Sequence, residues 1–274
     1  MCRVMSVGKS GYYHWLNRKE SGRSLERKYL TTKIRAIFNQ AKGRYGSPKI
    51  YQELKANGVH CSKQRVARIM QSEGLKSIIR KKYKVCTTDS NHTHSISENH
   101  LDRNFNQKFP SRAWVSDITY IPTDQGWIYL TTIMDLYDRK IIGWSLSRNM
   151  TTTDTVTKAW KMAAINRQIE KGMIFHSDRG VQYSSKEFRD LIKPYDIVQS
   201  MSRKGNCWDN AVAENFFKII KSELVMHKQF HSFLHAKIAI VEFIEIWYNR
   251  KRRHSYLGYL SPVDFGIKYY KNVA

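Results

Sequence analysis

Residues 113–147 read AWVSDITYIPTDQGWIYLTTIMDLYDRKIIGWSLS, and this stretch decides the fold. "AWVSDITYIP" alternates apolar and polar residues as a half-buried strand does. "GWIYLTTIMDLY" and "RKIIGWSLS" repeat the pattern, and only the short turn Asp138-Arg139 separates them, which predicts an antiparallel meander. Beyond it the period changes. A helix is expected from Asp154 to Gln168, with Val156, Ala159, Trp160, Ala163 and Ala164 on one side. A buried-type strand "GMIFHSD", a helix "SSKEFRDLI", a strand "DIVQSM" and a helix in "GNCWDNAVAENFFKIIKSEL" (205–224) follow. Three antiparallel strands followed by alternating units give an α/β domain with a mixed sheet of about five strands. A long helix near 232–249 and a basic tail complete this part.

The front of the chain is helical. "LERKYLTTKIRAIFNQAKG" sets Leu30, Ile34, Ile37, Phe38 and Ala41 at helical spacing and stops at Gly43. "SPKIYQELKANG" carries Pro48 in a first turn and Gly58 as its stop. "CSKQRVARIMQSEG" begins at a Ser62 cap, turns Val66, Ile69 and Met70 inward and ends at Gly74. A four-residue connection joins the last two, and Lys63, Gln64, Arg65 and Arg68 line the outer face of the final helix. This is the layout of a helix-turn-helix, whose last helix enters the major groove. Before it, "SVGKSGYYHWLNR" predicts a short helix capped by Ser10, with no partner helix upstream. Residues 80–112 are polar and aperiodic and are expected to form a linker. The expected organisation is a partial helical element at 1–24, a helix-turn-helix domain at 25–79, the linker at 80–112, a catalytic-type core at 113–230, and a C-terminal helix and basic tail at 231–274.

The formal net charge of +24 favours a polyanionic partner, because each phosphate neutralised by Lys or Arg releases counterions. The excess is uneven: +17 over residues 1–112 and +7 over the remainder. The four cysteines form no C-x-x-C pair, which argues against a disulfide framework or zinc ribbon and suits a reducing cytoplasm. His92, His94 and His100 lack suitably spaced cysteine partners, so no structural zinc is expected there. No apolar run approaches membrane-spanning length.

Three acids stand out. Asp is depleted in strands, yet Asp117 sits mid-strand between apolar neighbours. Asp178 ends the apolar strand "MIFHSD", where ligand and catalytic groups gather in open α/β sheets. Glu214 lies on the later helix, opposite an expected core stripe of Val212, Phe216, Ile219 and Ile220 and beside Lys218 and Lys221. Asp209 is expected to be that helix's N-cap. At roughly 6 Å and an effective dielectric of about 20, each like-charged pair costs on the order of 2–3 kcal/mol. Hard divalent cations, Mg²⁺ or Mn²⁺, offset such repulsion, and two of them promote in-line displacement at phosphorus.

With 60 residues between Asp117 and Asp178 and 35 between Asp178 and Glu214, the blocks "WVSDITYI", "FHSDRGVQYSS" and "KGNCWDNAVAENFFKIIKSEL" resemble the DDE transposases of the IS3 family. These are bacterial insertion-sequence proteins related to retroviral integrases. Lys221, seven residues after Glu214, fits the family pattern, as do "MDLYDRKIIGWS", "WYNRKRRHSYLGYLSPVDF" and "RYGSPKIY" near the front. The resemblance implies an RNase H-like core with Asp117, Asp178 and Glu214 as catalytic and metal-ligating residues and two Mg²⁺ or Mn²⁺ ions as cofactors. It also implies cleavage at terminal inverted repeats and direct attack of a 3′-OH on target DNA. Lys218 and Lys221 would face the DNA end. Implied partners are double-stranded DNA, an upstream-frame protein or frameshift fusion, and further copies of the chain on DNA. A structure-selective nuclease of the same fold, or a repressor with an inactive core, are the alternatives.

Other residues complete the expectations. Arg179 is assigned to phosphate, and His176 is weighed for the same role. Asp135 and Asp138 are assigned to turns. Arg250, Arg252 and Arg253, interleaved with Trp247, Tyr248 and Tyr256, are assigned to DNA. Cys207 and Trp208 are expected to pack their loop.

Overall fold

The structure, a computed structural model, describes Cys2, residues 4–79 and residues 96–273. It divides into two compact units, Met1–Ile78 and Ile79–Ala274.

In the first unit, α1 (Lys9–Leu16) buries none of its residues, and its cap position is Gly8 rather than Ser10. Helices α2 (Gly22–Gln40), α3 (Ser47–Ala56) and α4 (Lys63–Ser72) pack together. Their shared core is Leu30, Ile34, Ile50, Leu54, Val66, Ile69 and Met70. Caps fix where the helices begin. Ser21 Oγ accepts from Ser24 N–H at 3.2 Å and Ser62 Oγ from Arg65 N–H at 3.2 Å, each satisfying a first-turn donor. Four residues, Gly58 to Cys61, lie between the C-cap Asn57 and the N-cap Ser62, as expected, and Gly58 takes φ +73° just past the end of α3.

The second unit is built on a sheet ordered β3-β2-β1-β4-β5. Its strands are β1 (Ala113–Thr123), β2 (Gly126–Asp135), β3 (Ile141–Ser147), β4 (Ile174–Ser177) and β5 (Val198–Met201). The meander is antiparallel, with Asp117 opposite Thr132. β4 joins β1 in parallel, pairing Val115 with His176, and β5 extends the parallel side. One face is covered by α5 (Lys158–Asn166), α6 (Val181–Ser184) and α7 (Lys186–Ile192), whose core includes Trp114, Ile118, Trp160, Phe175, Tyr183 and Phe188. Because side chains alternate along a strand, Asp117 points away from that core, to the opposite face.

α5 lies unusually close to β3. A Cβ on Gly143 would come within 2.7 Å of both Cβ and N of Ala163, and closer still to the Ala159 carbonyl oxygen. Gly143→Ala is therefore expected to destabilise the second unit by about 1–3 kcal/mol through overpacking against backbone. An unchanged urea midpoint would show that the helix is free to move away.

On Asp117's side, α8 (Ala211–Glu223) packs against β1, followed by α9 (Phe233–Val241), whose wider final turns run to Lys251. The Asn249 side chain bonds both the N–H and the carbonyl of Ile141, each at 3.0 Å, which satisfies backbone groups of the edge strand. Two expectations are corrected. The basic tail ends in a helix, α10 (Pro262–Val273), whose Phe265 ring lies 5.3 Å from that of Tyr137. Residues 80–95 of the expected linker lie outside the described residues, as do His92 and His94. The remainder packs on β5: Leu101 is buried, and the N–H groups of His100 and Leu101 donate to Ser200 Oγ at 2.9 and 3.2 Å.

Candidate catalytic site

Asp117, Asp178 and Glu214 come from mid-β1, the residue after β4, and the first turn of α8. Asp117 and Asp178 are half-buried. Asp117 Oδ1 accepts from Ile118 N–H at 2.8 Å, and Asp178 Oδ1 from Gly180 N–H at 3.0 Å. Burial raises the Asp117 pKa well above the ordinary carboxylate value; the charges of Asp178 and Glu214 raise it further, while Lys221 works against them. Burial also raises Glu214, Lys218 lowers it, and Asp178 adds to the rise. The three acids thus share one electrostatic site. Among the described residues no group of three or more His, Cys, Asp or Glu side chains is placed to hold a metal ion.

α8 brings Glu214 to β1 by burying Ala213, Phe216, Phe217 and Ile220. At about 1.5–3 kcal/mol for each large side chain, this stripe fixes the helix's rotation. It differs from the expected one: Val212 and Ile219 are only half-buried. With the helix so turned, Glu214 and Lys221 lie along the margin of the buried arc. Lys221 is 4% exposed, and burial lowers its pKa despite the charge of Asp117. It is therefore a buried neighbour of Asp117, not the outward-facing group expected. Lys218 is the exposed member, with Nζ 3.7 Å from Glu214 Oε2.

Several supporting residues escaped the sequence reading. Asn210 Nδ2 donates to Ser116 O at 3.1 Å, tying the start of α8 to the residue before Asp117. Behind that point, Tyr183 OH and Ser116 Oγ are hydrogen-bonded at 2.8 Å. Burial, then the charges of Asp178 and Asp117, raise the Tyr183 pKa well above its usual value, so the phenol stays neutral.

Asp209 is not the N-cap. It is fully buried and held by the Arg203 side chain and backbone N–H, by Arg103 Nε at 2.9 Å and by Asn99 Nδ2 at 3.0 Å. Its hydrogen bonds from Arg203 lead in holding its pKa below the usual range. The cap position falls to Asn210, which makes no side-chain capping bond. No local signal announces this arrangement, because Asn99 and Arg103 are more than a hundred residues away in sequence.

The other expected contacts divide. Lys63, Gln64 and Arg68 are exposed on α4, whereas the Arg65 guanidinium is engaged with Glu26 at 2.6 Å. Arg179 Nε donates to Ser202 O at 2.7 Å. His176 is corrected outright as a phosphate ligand. It is fully buried between Ser200 Oγ at 2.8 Å and Ser202 Oγ at 3.2 Å, and burial lowers its pKa to about 4. Arg250 is exposed, and Arg253 Nη1 donates to Tyr259 O at 2.9 Å. Arg252 is corrected as a DNA contact: it is buried, with Nε and Nη2 at 2.9 and 2.8 Å from Glu223 Oε1. Asp135 and Asp138 hold the β2–β3 turn, jointly bound by Arg167 at 3.0 and 2.6 Å. Trp208 does not pack its loop; it is 69% exposed.

Among the described residues no helix is long and apolar enough to cross a membrane. Family models described as "Integrase core domain" match residues 107–207 and 195–262, and one described as "HTH-like domain" matches residues 24–83. The chain is 37% identical over 274 residues to the insertion element IS600 uncharacterized 31 kDa protein of Shigella sonnei, covering all of both chains. It is 38% identical over 270 residues to transposase InsF for insertion sequence IS3A of Escherichia coli K12, covering 98% of this chain and 93% of that one. A cryoEM structure of the simian T-cell lymphotropic virus intasome in complex with PP2A regulatory subunit B56 gamma matches with a TM-score of 0.50 at 12% identity. That match covers 85% of this chain and 73% of the viral one. The viral likeness bears on the fold, which is RNase H-like, and the near-full-length relatives bear on the family: the chain belongs to the IS3 family of insertion-sequence DDE transposases.

Proposed function

We propose that Asp117, Asp178 and Glu214 are the catalytic carboxylates of a strand-cleavage and strand-transfer reaction at the terminal inverted repeats of an insertion sequence. The observation that carries this is three acids from β1, the end of β4 and α8 in one electrostatic site, where burial first and then their mutual charges disfavour ionisation of Asp117 and Glu214. A fold keeps such a repulsive set where a cation relieves it. The donors are all carboxylate oxygens, which fit Mg²⁺ or Mn²⁺ rather than softer metals. Asp117, Asp178 and Glu214 would hold two such ions, which when bound promote deprotonation of an attacking hydroxyl and neutralise charge on the leaving oxygen.

In cleavage, water attacks the phosphorus at the element end and the bond to the 3′ oxygen breaks, freeing a 3′-OH. In transfer, that hydroxyl attacks a target phosphate, its proton is lost, and the target's own 3′ oxygen leaves. Neither step needs a covalent enzyme intermediate. Lys218, exposed beside Glu214, supplies positive charge for the DNA end, and Arg179 does so from the strand-end turn. Lys221 stays behind them as a buried countercharge to Asp117. Lys63, Gln64 and Arg68 on α4 read the terminal repeat in duplex DNA, with Arg65 joining them on release from Glu26. Arg250 and Arg253 flank the core as further phosphate contacts. The exposed Tyr13, Trp15 and Leu16 of α1 suit an upstream-frame protein or fused segment, and copies of the chain assemble on DNA in the cytoplasm.

The test is an assay with a duplex of the element's own end, target DNA and Mg²⁺, comparing wild type with Asp178→Asn. Joined products from the wild type alone are expected. Cleavage without joining would make the protein a nuclease, binding without either would make it a repressor, and joining by the variant would overturn the site.

A further inference from the structure

We propose that Trp208 is a stacking platform for an unpaired base next to the scissile phosphate, a reading that rests on the catalytic assignment of Asp117, Asp178 and Glu214. Trp114 and Trp160 are drawn into the interior at 0% exposure, whereas Trp208 is 69% exposed, as Trp15 and Trp127 are at 68% and 60%; what sets Trp208 apart is its place beside Asp209 and Asn210. The backbone that carries it is held from the next residue onward. Asp209 Oδ1 takes Arg103 Nε at 2.9 Å and Arg203 Nη2 at 2.8 Å, and its Oδ2 takes Arg203 Nε at 2.8 Å and Asn99 Nδ2 at 3.0 Å. Asn210, 4% exposed, donates to Ser116 O, the carbonyl just before Asp117. The aromatic surface therefore projects from an anchored turn, so ordering it on binding costs little.

Its position suits a substrate base. Two residues span at most about 7 Å between Cα atoms, and Asn210 bonds the carbonyl just before Asp117, so the Trp208 backbone is tethered within reach of the carboxylate site. Cations share that region. Arg179 is hydrogen-bonded to Ser202 at the end of β5, Lys204 is exposed on the same loop, and Lys218 stands on the next helix with its side chain 54% exposed. Positive charge for the backbone beside an aromatic face for a base is the combination that grips single-stranded nucleic acid. Opening the terminal pairs of a duplex costs a few kcal/mol, and stacking on the indole offsets part of that where the strand must bend into the site.

Two measurements on the full chain decide the matter. In the first, anisotropy of a fluorescein-labelled oligothymidine at moderate salt is compared for wild type, Trp208→Phe and Trp208→Leu. The Leu variant is expected to bind about 5- to 100-fold more weakly, and the Phe variant to stay near wild type. In the second, joining is compared on element-end duplexes with paired and with mismatched terminal positions. The Leu variant is expected to lag wild type on paired ends and to recover on mismatched ends, where opening is already done. Equal oligothymidine affinity in wild type and Leu variant would overturn the proposal. So would a joining defect that neither mismatches nor phenylalanine relieve, since that marks a structural role. If the wild type joins nothing, the catalytic reading falls, while the oligothymidine comparison still decides Trp208.

Discussion

Asp117→Asn should end strand transfer and at the same time raise the melting temperature of the metal-free protein. The activity loss is expected on the order of 10³-fold, because a neutral amide neither offsets a cation's charge nor preserves transition-state stabilisation of about 4 kcal/mol. The stability gain follows from the burial of the charged carboxyl and then from the charges around it. Asp178 and Glu214 both raise the Asp117 pKa, and Lys221 is the weakest of the charged influences on it, so repulsion outweighs attraction. Asparagine keeps the oxygen that accepts from Ile118 N–H and removes the charge. A raised carboxyl pKa means that the folded chain holds the proton more tightly than the unfolded one, whose value is near 3.8. The native site's cost is therefore absent in acid and grows as pH rises through the folded pKa. The variant should melt a few degrees higher near neutral pH, for a gain on the order of 1 kcal/mol, and no higher at pH 3. Adding Mg²⁺ should raise the wild-type melting temperature and leave the variant's nearly unchanged. A variant that melts lower in EDTA at neutral pH would mean that the attraction between Lys221 and Asp117 dominates.

Arg252→Ala is expected to be the most damaging substitution in the basic segment, by unfolding rather than by lost DNA contact. Glu223 is 2% exposed and receives Arg252 Nε and Nη2 on one oxygen and Trp247 Nε1, at 2.9 Å, on the other. Removing the guanidinium takes two charge-assisted hydrogen bonds from a buried carboxylate, and breaking a buried pair in this way typically costs about 3–5 kcal/mol. Arg250→Ala, two residues earlier on the exposed side, should stay within about 0.5 kcal/mol of wild type in stability. Replacing both Glu223 and Arg252 with Met should recover most of the loss, since it removes both charges together. Urea titrations of the four proteins provide the check. If Arg252→Ala keeps its midpoint but binds DNA more weakly, the segment acts as the sequence alone suggested.

That contrast marks what sequence could and could not supply. The sheet was legible because strand periodicity and helical periodicity are local, and three antiparallel strands followed by crossover units leave few topologies. The acids drew attention in the sequence because an aspartate in mid-strand conflicts with strand preference and the end of a strand in an open α/β sheet is where ligand groups gather. What failed depended on partners distant in the chain. Asp209 looked like a cap because it precedes a helix, but its partners Asn99 and Arg103 lie 110 and 106 residues away. Arg252 looked like one of three similar cations, but Glu223 holds it inside. Lys221 was misplaced because the buried arc of α8 centres on Ala213, Phe217 and Ile220, which swings the lysine toward Asp117. Trp208 was expected to pack its loop, and its 69% exposure has no local signal in the sequence.

The pairing of Glu223 with Arg252 also bears on timing. Glu223 ends the helix that presents Glu214, and the arginine that neutralises it follows 29 residues later. A ribosome releases β1 through α8, with all three acids, well before that arginine emerges. Until then α8 would seat the Glu223 carboxylate against the sheet without the Arg252 guanidinium, so the nascent chain carries Asp117, Asp178 and Glu214 before this support is in place. Translation order therefore completes this buried pair after α8 itself, so the seat of Glu214 is finished later than the helix that carries it.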